Sequence, residues 1–542
     1  MTAFLDRAGT FVRGLNSGRR YLFAWFAGLL SALGFAPIGF FPFLLLGYAA
    51  LVLLIDGAQG AVRPIRTSAL VGLAFGFGQF LAGLHWIGYA FTVDPGAHEW
   101  QIPFVAVLFP GGLALFIALA CATAAYFWRD GPARIFAFTA SLAAAEWLRG
   151  HILTGFPWNI AAYGWGASLG VLQSAALFGA YTLTLLTILF GASLAELFRT
   201  RPKWLFPSSM AALFVLLWIG GEVRLAVVPT VYVPGVRLRL VQPDIPQAEK
   251  DEPRHFQRNW DRLLSLSTKP GNPAPTIIVW PEAAAGSYFR LWRDRDGNLA
   301  AFVPVAEGPY LLLERDPLAT EQIAALTARN RNLMTGALRV QRGDAGELHY
   351  YNSLFIFGAG GKVLATYDKF HLVPFAEYLP FERTLDRWGI TKLTGISGSF
   401  ARGDGPHTYD VPGAPSVGPL ICYEILFPGA VVGAQKPGWF VNVTDDSWFG
   451  PWAGPQQHLL VARARAIEEG IPVVRAANTG ISAIIDPLGR ITAQLGLDRL
   501  GIVDGNLPAA IAFTPHSRMR EGWFWLFLSA CTGLGWVFSR RK

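Results

Sequence analysis

Charge is what this sequence has least of. Only 15% of its 542 residues are Asp, Glu, Lys or Arg, while 52% are apolar; soluble domains usually carry about 25% charged residues. A chain this long would normally fold as more than one water-covered domain, so the shortage means that much of its surface faces something other than water. Cysteine is nearly absent as well, with three in all. Cys121 and Cys531 lie inside long apolar runs and Cys422 does not, so no disulfide framework is expected even on an oxidising side of a membrane. The histidines show no HExxH spacing, the cysteines no CxxC, and no glycine-rich phosphate loop occurs. No metal site and no cofactor is therefore expected. Internal repeats and low-complexity linkers are missing too.

The net charge of +8 could suggest nucleic acid, but the basic residues sit in short clusters between apolar runs. That pattern belongs to membrane orientation, and nucleic acid is not expected as a partner. The many tryptophans suit interfacial belts and acyl-chain contacts. A span needs about 20 mostly apolar residues. Seven such stretches precede residue 228, at 20–36, 39–56, 68–91, 103–128, 133–150, 168–197 and 204–227, and another lies at 521–539. The first follows Arg7, Arg13, Arg19 and Arg20 and is followed closely by the second, so it reads as a true span rather than a cleavable signal. Glu146 and Arg149 make the fifth the least apolar.

With the N-terminus cytoplasmic, that side collects the four N-terminal arginines, Arg63, Arg66, Arg129, Arg134, Arg199, Arg201, Lys203, Arg540, Arg541 and Lys542; the short loops opposite hold only Arg149. This bias predicts about eight spans with both termini cytoplasmic and the long segment between the seventh and eighth outside. The expected division is 1–227, a seven-helix transmembrane bundle; 228–518, an extracytoplasmic catalytic domain; and 519–542, a last span with a basic tail.

The outer segment has a different texture. VRLRLVQ (236–242), TIIVW (276–280), LMTGALRV (333–340), SLFIF (353–357), VLATY (363–367), PLICY (419–423) and WFVNVT (439–444) read as buried strands. GAGGK (358–362) and DPLGR (486–490) read as turns between strands, and 252–267, 319–330 and 455–469 as helices. Strands apolar on both faces, mixed with helices, predict a layered α/β domain.

Three places in it can carry chemistry. In IVWPEAAA a proline stops the strand and leaves Glu282 at its tip, either as a reactive carboxylate or as a surface turn residue. In YDKFHLVPFAEYLPF, Asp368, Lys369, His371 and Glu377 stand among Phe370, Phe375, Tyr378 and Phe381. A lysine so poorly hydrated would be sensitive to nearby carboxylates; the alternative is an ordinary solvated lysine. In GPLICYEILFPG, Cys422 ends an apolar strand and is followed by Tyr423 and Glu424, as a nucleophile at a sharp strand exit would be or as a structural thiol would be.

Together these fragments resemble the nitrilase superfamily, whose Glu–Lys–Cys triad sits on an αββα sandwich; the order here is Glu282, Lys369, Cys422. Joined to the spans, they resemble the bacterial apolipoprotein N-acyltransferases over nearly the whole chain. The resemblance implies a multi-pass protein of the bacterial inner membrane with a periplasmic catalytic domain. It implies that an acyl chain is moved from a phospholipid donor, usually phosphatidylethanolamine, through a cysteine thioester to the amine of a diacylglyceryl-cysteine lipoprotein. It also implies Glu282 as general base, Lys369 at the oxyanion and Cys422 as nucleophile, with Glu377, Tyr423 and Glu424 in support. NVTDDSWFGP (442–451) and RAANTGISA (475–483) are further fragments of that kind; Trp448 and Phe449 either line the acyl path or pack the core. The stretch 286–318 is longer than the family pattern after the glutamate. The triad alone also fits a membrane-tethered amidase or nitrilase. A transporter, by contrast, would need more ionisable groups at mid-depth than Glu146, Arg149 and His85.

Overall fold

The computed structural model describes residues 2–93, 95–199, 203–250, 253–285, 291–293, 299–300, 317–342, 348–378 and 399–540. Phe381, Arg201, Arg541, Lys542 and most of 286–318 lie outside them.

Each predicted apolar stretch is helical, because an unbroken apolar chain can satisfy its backbone without water only by internal hydrogen bonds. Among the described residues, Pro64–Gly83, Glu99–Tyr126, Ala175–Phe198, Leu205–Val227 and Gly522–Arg540 are long and apolar enough to cross a membrane. The stretches at 20–36, 39–56 and 133–150 form shorter helices, Ser17–Ser31, Pro42–Ala58 and Ala133–Arg149, of 15, 17 and 17 residues. Helix length therefore supports five of the eight expected spans.

Two stretches expected as single helices are broken. The third ends at Gly83 and continues as the 3-10 turn His85–Thr92. The sixth divides at Gly179, whose φ of 81° interrupts the helix; a Cβ there would lie 2.5 Å from the His516 ring, so the close approach needs glycine. The buried charges of the fifth helix are paired: Arg149 reaches Glu146 at 2.6 Å, and Arg134 reaches Glu196 at 2.7 Å and Asp56 at 3.1 Å. A helix the sequence did not announce, Thr2–Arg13, packs against Pro42–Ala58.

Beyond residue 228 the chain folds as two sheets face to face. One runs Gly501–Pro508, Tyr232–Gln242, Ile277–Val279, Asn332–Arg342, with Leu291–Arg293 and Leu299–Ala300 at its edge, while Leu348–Phe357 and Val363–Asp368 continue from Asn332–Arg342. The other runs Ile491–Leu495, Ser482–Ile485, Val473–Ala477, Trp439–Thr444, Ala414–Ile421, Tyr409–Val411. Both predicted turns join antiparallel neighbours.

Alternation assigns the faces. Val236, Leu238 and Leu240 meet Trp439, Val441 and Val443 between the sheets, whereas Val241 and Trp280 point outward onto the helices Phe256–Thr268 and Pro317–Leu326. Phe440 points out of the second sheet onto the helix Ala453–Glu469. That helix is largely buried on both sides, because the apolar cluster beneath it continues through Leu459 and Leu460 to Trp158, Leu84 and Ile160 of the bundle. The outer helical layer of the sandwich is thus also the contact with the membrane-type helices.

Candidate active site

Glu282 is placed by a close approach of two backbones. The strand Ile277–Val279 runs into Trp280 and Pro281, the Gly336 N–H donates to the Pro281 carbonyl at 3.1 Å, and a Cβ on Gly336 would fall 2.7 Å from the Glu282 Cα. The carboxylate is then held at both oxygens: Oε1 accepts from Asn352 Nδ2 at 2.8 Å and from Lys369 Nζ at 3.3 Å, and Oε2 accepts the Asp445 backbone N–H at 2.9 Å.

Lys369 follows the strand Val363–Asp368, and its N–H donates to the Asn352 carbonyl at 2.8 Å. Its side chain is 1% exposed, and its ammonium lies 2.8 Å from Glu377 Oε1 as well as against Glu282. Burial alone would lower its pKa, but Glu377 and Glu282 outweigh it, so the lysine titrates above its ordinary value and stays charged. Glu377 is aimed by the Val373 N–H at 2.8 Å and by Asn352 Nδ2 at 2.9 Å. One amide therefore bridges both carboxylates.

Cys422 stands one residue past the strand Ala414–Ile421, at the head of the turn Cys422–Leu426, with φ +49°. Non-glycine residues seldom adopt that backbone, and at a strand exit it throws the side chain out of the sheet. Lys369 lowers the thiol pKa, but burial and nearby carboxylates outweigh it. Burial and the Glu282 charge push the thiol up, and Lys369 and a hydrogen bond with Thr444 offset them only in part. The resting sulfur is a neutral thiol, so an attack by it needs a base.

The supporting residues differ in reach. Glu424, fully buried, accepts the N–H groups of Ile421 and Phe370 at 2.7 Å each, that of His371 at 3.3 Å and the Tyr367 hydroxyl at 2.9 Å. Burial lifts its carboxyl to about 7 despite those donors. Tyr423 donates its hydroxyl to the Gly155 carbonyl at 2.6 Å and so touches the bundle. Trp448 and Phe449 share the turn Asp446–Phe449 and are half-buried. Phe449 stacks edge-on against Trp86 of the bundle, ring centres 4.6 Å apart.

Several residues escaped the sequence reading. Asn352 lies mid-strand with nothing to mark it. Lys250 donates to the Glu282 carbonyl at 3.0 Å and pairs with Asp445. Under the nucleophile, Asp446, His458 and Arg475 form a cluster with no exposed surface. One signal was available: Arg475 interrupts the apolar strand Val473–Ala477, and a buried guanidinium needs a carboxylate, which the NVTDDS fragment supplies.

A two-sheet sandwich with helical outer layers, fused to apolar helices, is the architecture of a membrane-attached carbon–nitrogen hydrolase, and residues 237–515 match the Carbon-nitrogen hydrolase family. Residues 27–193 match the Apolipoprotein N-acyltransferase N-terminal domain. Proteins named apolipoprotein N-acyltransferase from Rhodopseudomonas palustris and Bradyrhizobium diazoefficiens are 40% and 42% identical over 517 residues, covering 93% of this chain and 92% of each relative. The chain belongs to the apolipoprotein N-acyltransferase family and is an acyltransferase. Similar solved structures include an amidase from Nesterenkonia sp. (18% identity, 55% of this chain and 98% of that one, TM-score 0.36) and a Saccharomyces cerevisiae member of branch 10 of the nitrilase superfamily (17% identity, 50% and 90%, TM-score 0.35).

Proposed function

We propose that Cys422 carries the acyl group as a thioester between a membrane phospholipid and the terminal amine of a lipoprotein, with Glu282 as base and Lys369 at the oxyanion. The family name implies a lipid acyl donor and a lipoprotein acceptor meeting in a membrane; phosphatidylethanolamine is the donor we favour. Glu282 takes the thiol proton as the sulfur attacks the ester carbonyl. The tetrahedral oxyanion is met by the Lys369 ammonium and the Tyr423 N–H. Its collapse breaks the ester C–O bond, and the lysophospholipid leaves with the proton from Glu282. The lipoprotein amine then attacks the thioester and gives its proton to Glu282, and the thiolate recovers it. Two modest barriers replace one large one.

The observation that carries this reading is the shared environment of the three groups: Glu282 and Lys369 are 3.3 Å apart, and their charges act in opposite directions on the Cys422 thiol. The site also adjoins the bundle through Tyr423 and Phe449, which favours substrates held in the bilayer over soluble amides. Glu377, Tyr423 and Glu424 hold the machinery in place, and Trp448 and Phe449 border the acyl path.

In the topology we propose, eight spans leave residues 228–518 on the outer face of the inner membrane and both termini in the cytoplasm; reporter fusions after residues 130 and 542 should read cytoplasmic. For the chemistry, purified protein incubated with phospholipid carrying a labelled acyl chain should gain a hydroxylamine-sensitive adduct that Cys422→Ala lacks. Ammonia release from simple amides without any such adduct would favour the membrane-tethered amidase instead.

A further inference from the structure

His458 takes no part in the proposed reaction, yet it is fully buried and reaches the backbone of the nucleophile. It sits on the helix Ala453–Glu469, with Nε2 3.1 Å from the Cys422 carbonyl oxygen and Nδ1 3.0 Å from Asp446 Oδ1 and 3.1 Å from Arg475 Nη2. A carbonyl oxygen can only accept, so the nitrogen facing it must carry a proton. The other nitrogen lies between a guanidinium, which can only donate, and the Asp446 carboxylate, which can only accept and is also engaged by Arg475 at 2.6 Å and Thr444 at 2.9 Å. Nε2 is thus the nitrogen that donates to the Cys422 carbonyl. Burial and Arg475 also hold the imidazole neutral, below its ordinary pKa.

The carbonyl so held belongs to a residue in the left-handed backbone region, Cys422 at φ +49°. The peptide joining 422 to 423 is planar and trans, so its C=O and N–H point in opposite directions. Fixing the Cys422 carbonyl toward His458 therefore fixes the direction of the Tyr423 N–H, away from the cluster. We infer that His458 is a positioning residue for the oxyanion hole: its Nε2–H clamps the Cys422 carbonyl and thereby aims the Tyr423 amide at the tetrahedral intermediate. Thr444, Asp446 and Arg475 serve to orient that imidazole. The inference rests on the thioester reading above.

The test uses the full-length protein in detergent, with single-turnover formation of the acyl-enzyme from labelled phospholipid. His458→Phe keeps a ring but loses the donor, and it should slow acylation roughly a hundredfold at an unchanged half-saturating lipid concentration. His458→Gln places an amide N–H near the imidazole donor and should recover the rate to within about tenfold; His458→Asn is too short to reach and should stay slow. Alkylation of Cys422 by iodoacetamide forms no oxyanion, so its rate and pH midpoint should be those of the wild type in every variant. Equal slowing by Phe and Gln, wild-type acylation in Phe or Asn, or alkylation slowed in step with acylation would each overturn the inference. If the Phe variant fails to fold, the comparison of Gln with Asn still decides. Absence of a Cys422-dependent adduct in the wild type would instead refute the thioester reading itself.

Discussion

The carboxylate of Glu424 accepts the backbone N–H of Phe370 at 2.7 Å, across 54 positions of sequence. Because its other oxygen takes the Ile421 N–H, also at 2.7 Å, one buried side chain ties the turn that presents Cys422 to the loop that presents Lys369. Glu424→Gln would turn an NH2 group toward a backbone N–H and leave that donor buried without an acceptor, at a cost of about 1–3 kcal/mol. We expect a lower unfolding midpoint in detergent together with slower acyl-enzyme formation. Unchanged acylation in a destabilised variant would show that the tie matters to the fold but not to the alignment of the site.

Glu282 has two effects on Cys422 that a single substitution separates. Its charge raises the thiol pKa, and its carboxylate is the proposed base. Glu282→Gln removes both. The thiol then has Lys369 beside it without the opposing carboxylate, so alkylation by iodoacetamide should reach its plateau at lower pH than in the wild type. Acylation by phospholipid should nevertheless fall by about 10²–10⁴-fold, the usual contribution of general base catalysis. Measuring both reactions across pH on one preparation checks the pair; a thiol midpoint that moves upward would contradict the electrostatic account.

The two sheets were legible in the sequence because their strands are short apolar runs ended by proline, glycine or a charged residue. Trp439–Thr444 and Val363–Asp368 fall within a residue of the predicted limits. The helical bundle was legible for the same reason, as long apolar stretches. What could not be read was whatever depends on a partner distant in sequence. Asn352 becomes informative only when pairing sets it between Glu282 and Glu377, and the break at Gly179 becomes a requirement only when His516 packs against it. The protonation state of the Cys422 thiol was hidden for the same reason. The sequence showed the lysine but not the depth of burial or the second charge that outweighs it.

His371 predicts a pH dependence of stability. Its ring stacks on Phe427 with centres 3.7 Å apart, and burial, with Arg402 and His151 nearby, lowers its pKa from 6.5 to about 4. Between those values the unfolded chain binds a proton that the folded one does not, so stability rises with pH. The contribution is complete above about pH 6.5 and is lost as pH falls toward 4. His371→Phe keeps a ring on Phe427 and removes the titration. The unfolding midpoint of the variant should therefore fall less between pH 7 and pH 4.5 than that of the wild type; parallel curves would assign the acid sensitivity to other groups.

The contact between catalytic domain and bundle can be tested at Gln457, the neighbour of His458 on the same helix. Its Oε1 accepts the indole N–H of Trp158 at 2.7 Å and that of Trp86 at 3.1 Å, while its Nε2 donates to the carbonyls of Ala36 at 3.0 Å and Gly83 at 3.2 Å. One amide thus joins the catalytic domain to three separate segments of the helical region. Gln457→Leu conserves much of the volume but strands two indole donors and the Ala36 carbonyl in a buried joint, while the Gly83 carbonyl keeps the Asn159 amide at 3.3 Å. Each stranded group costs about 1–3 kcal/mol, and relaxation of the indoles would recover part of that. A loss of about 3 kcal/mol or more is expected, read as a lower unfolding midpoint and as faster proteolysis near residues 228–232. Acylation should fall with it, because Trp158 and Trp86 also pack on Phe449, with ring centres 5.7 Å and 4.6 Å away. Gln457→Glu separates the two halves of the amide: a carboxylate can still accept both indoles but repels both carbonyls. A Glu variant as stable as the wild type would place the whole strength of the joint in the tryptophans.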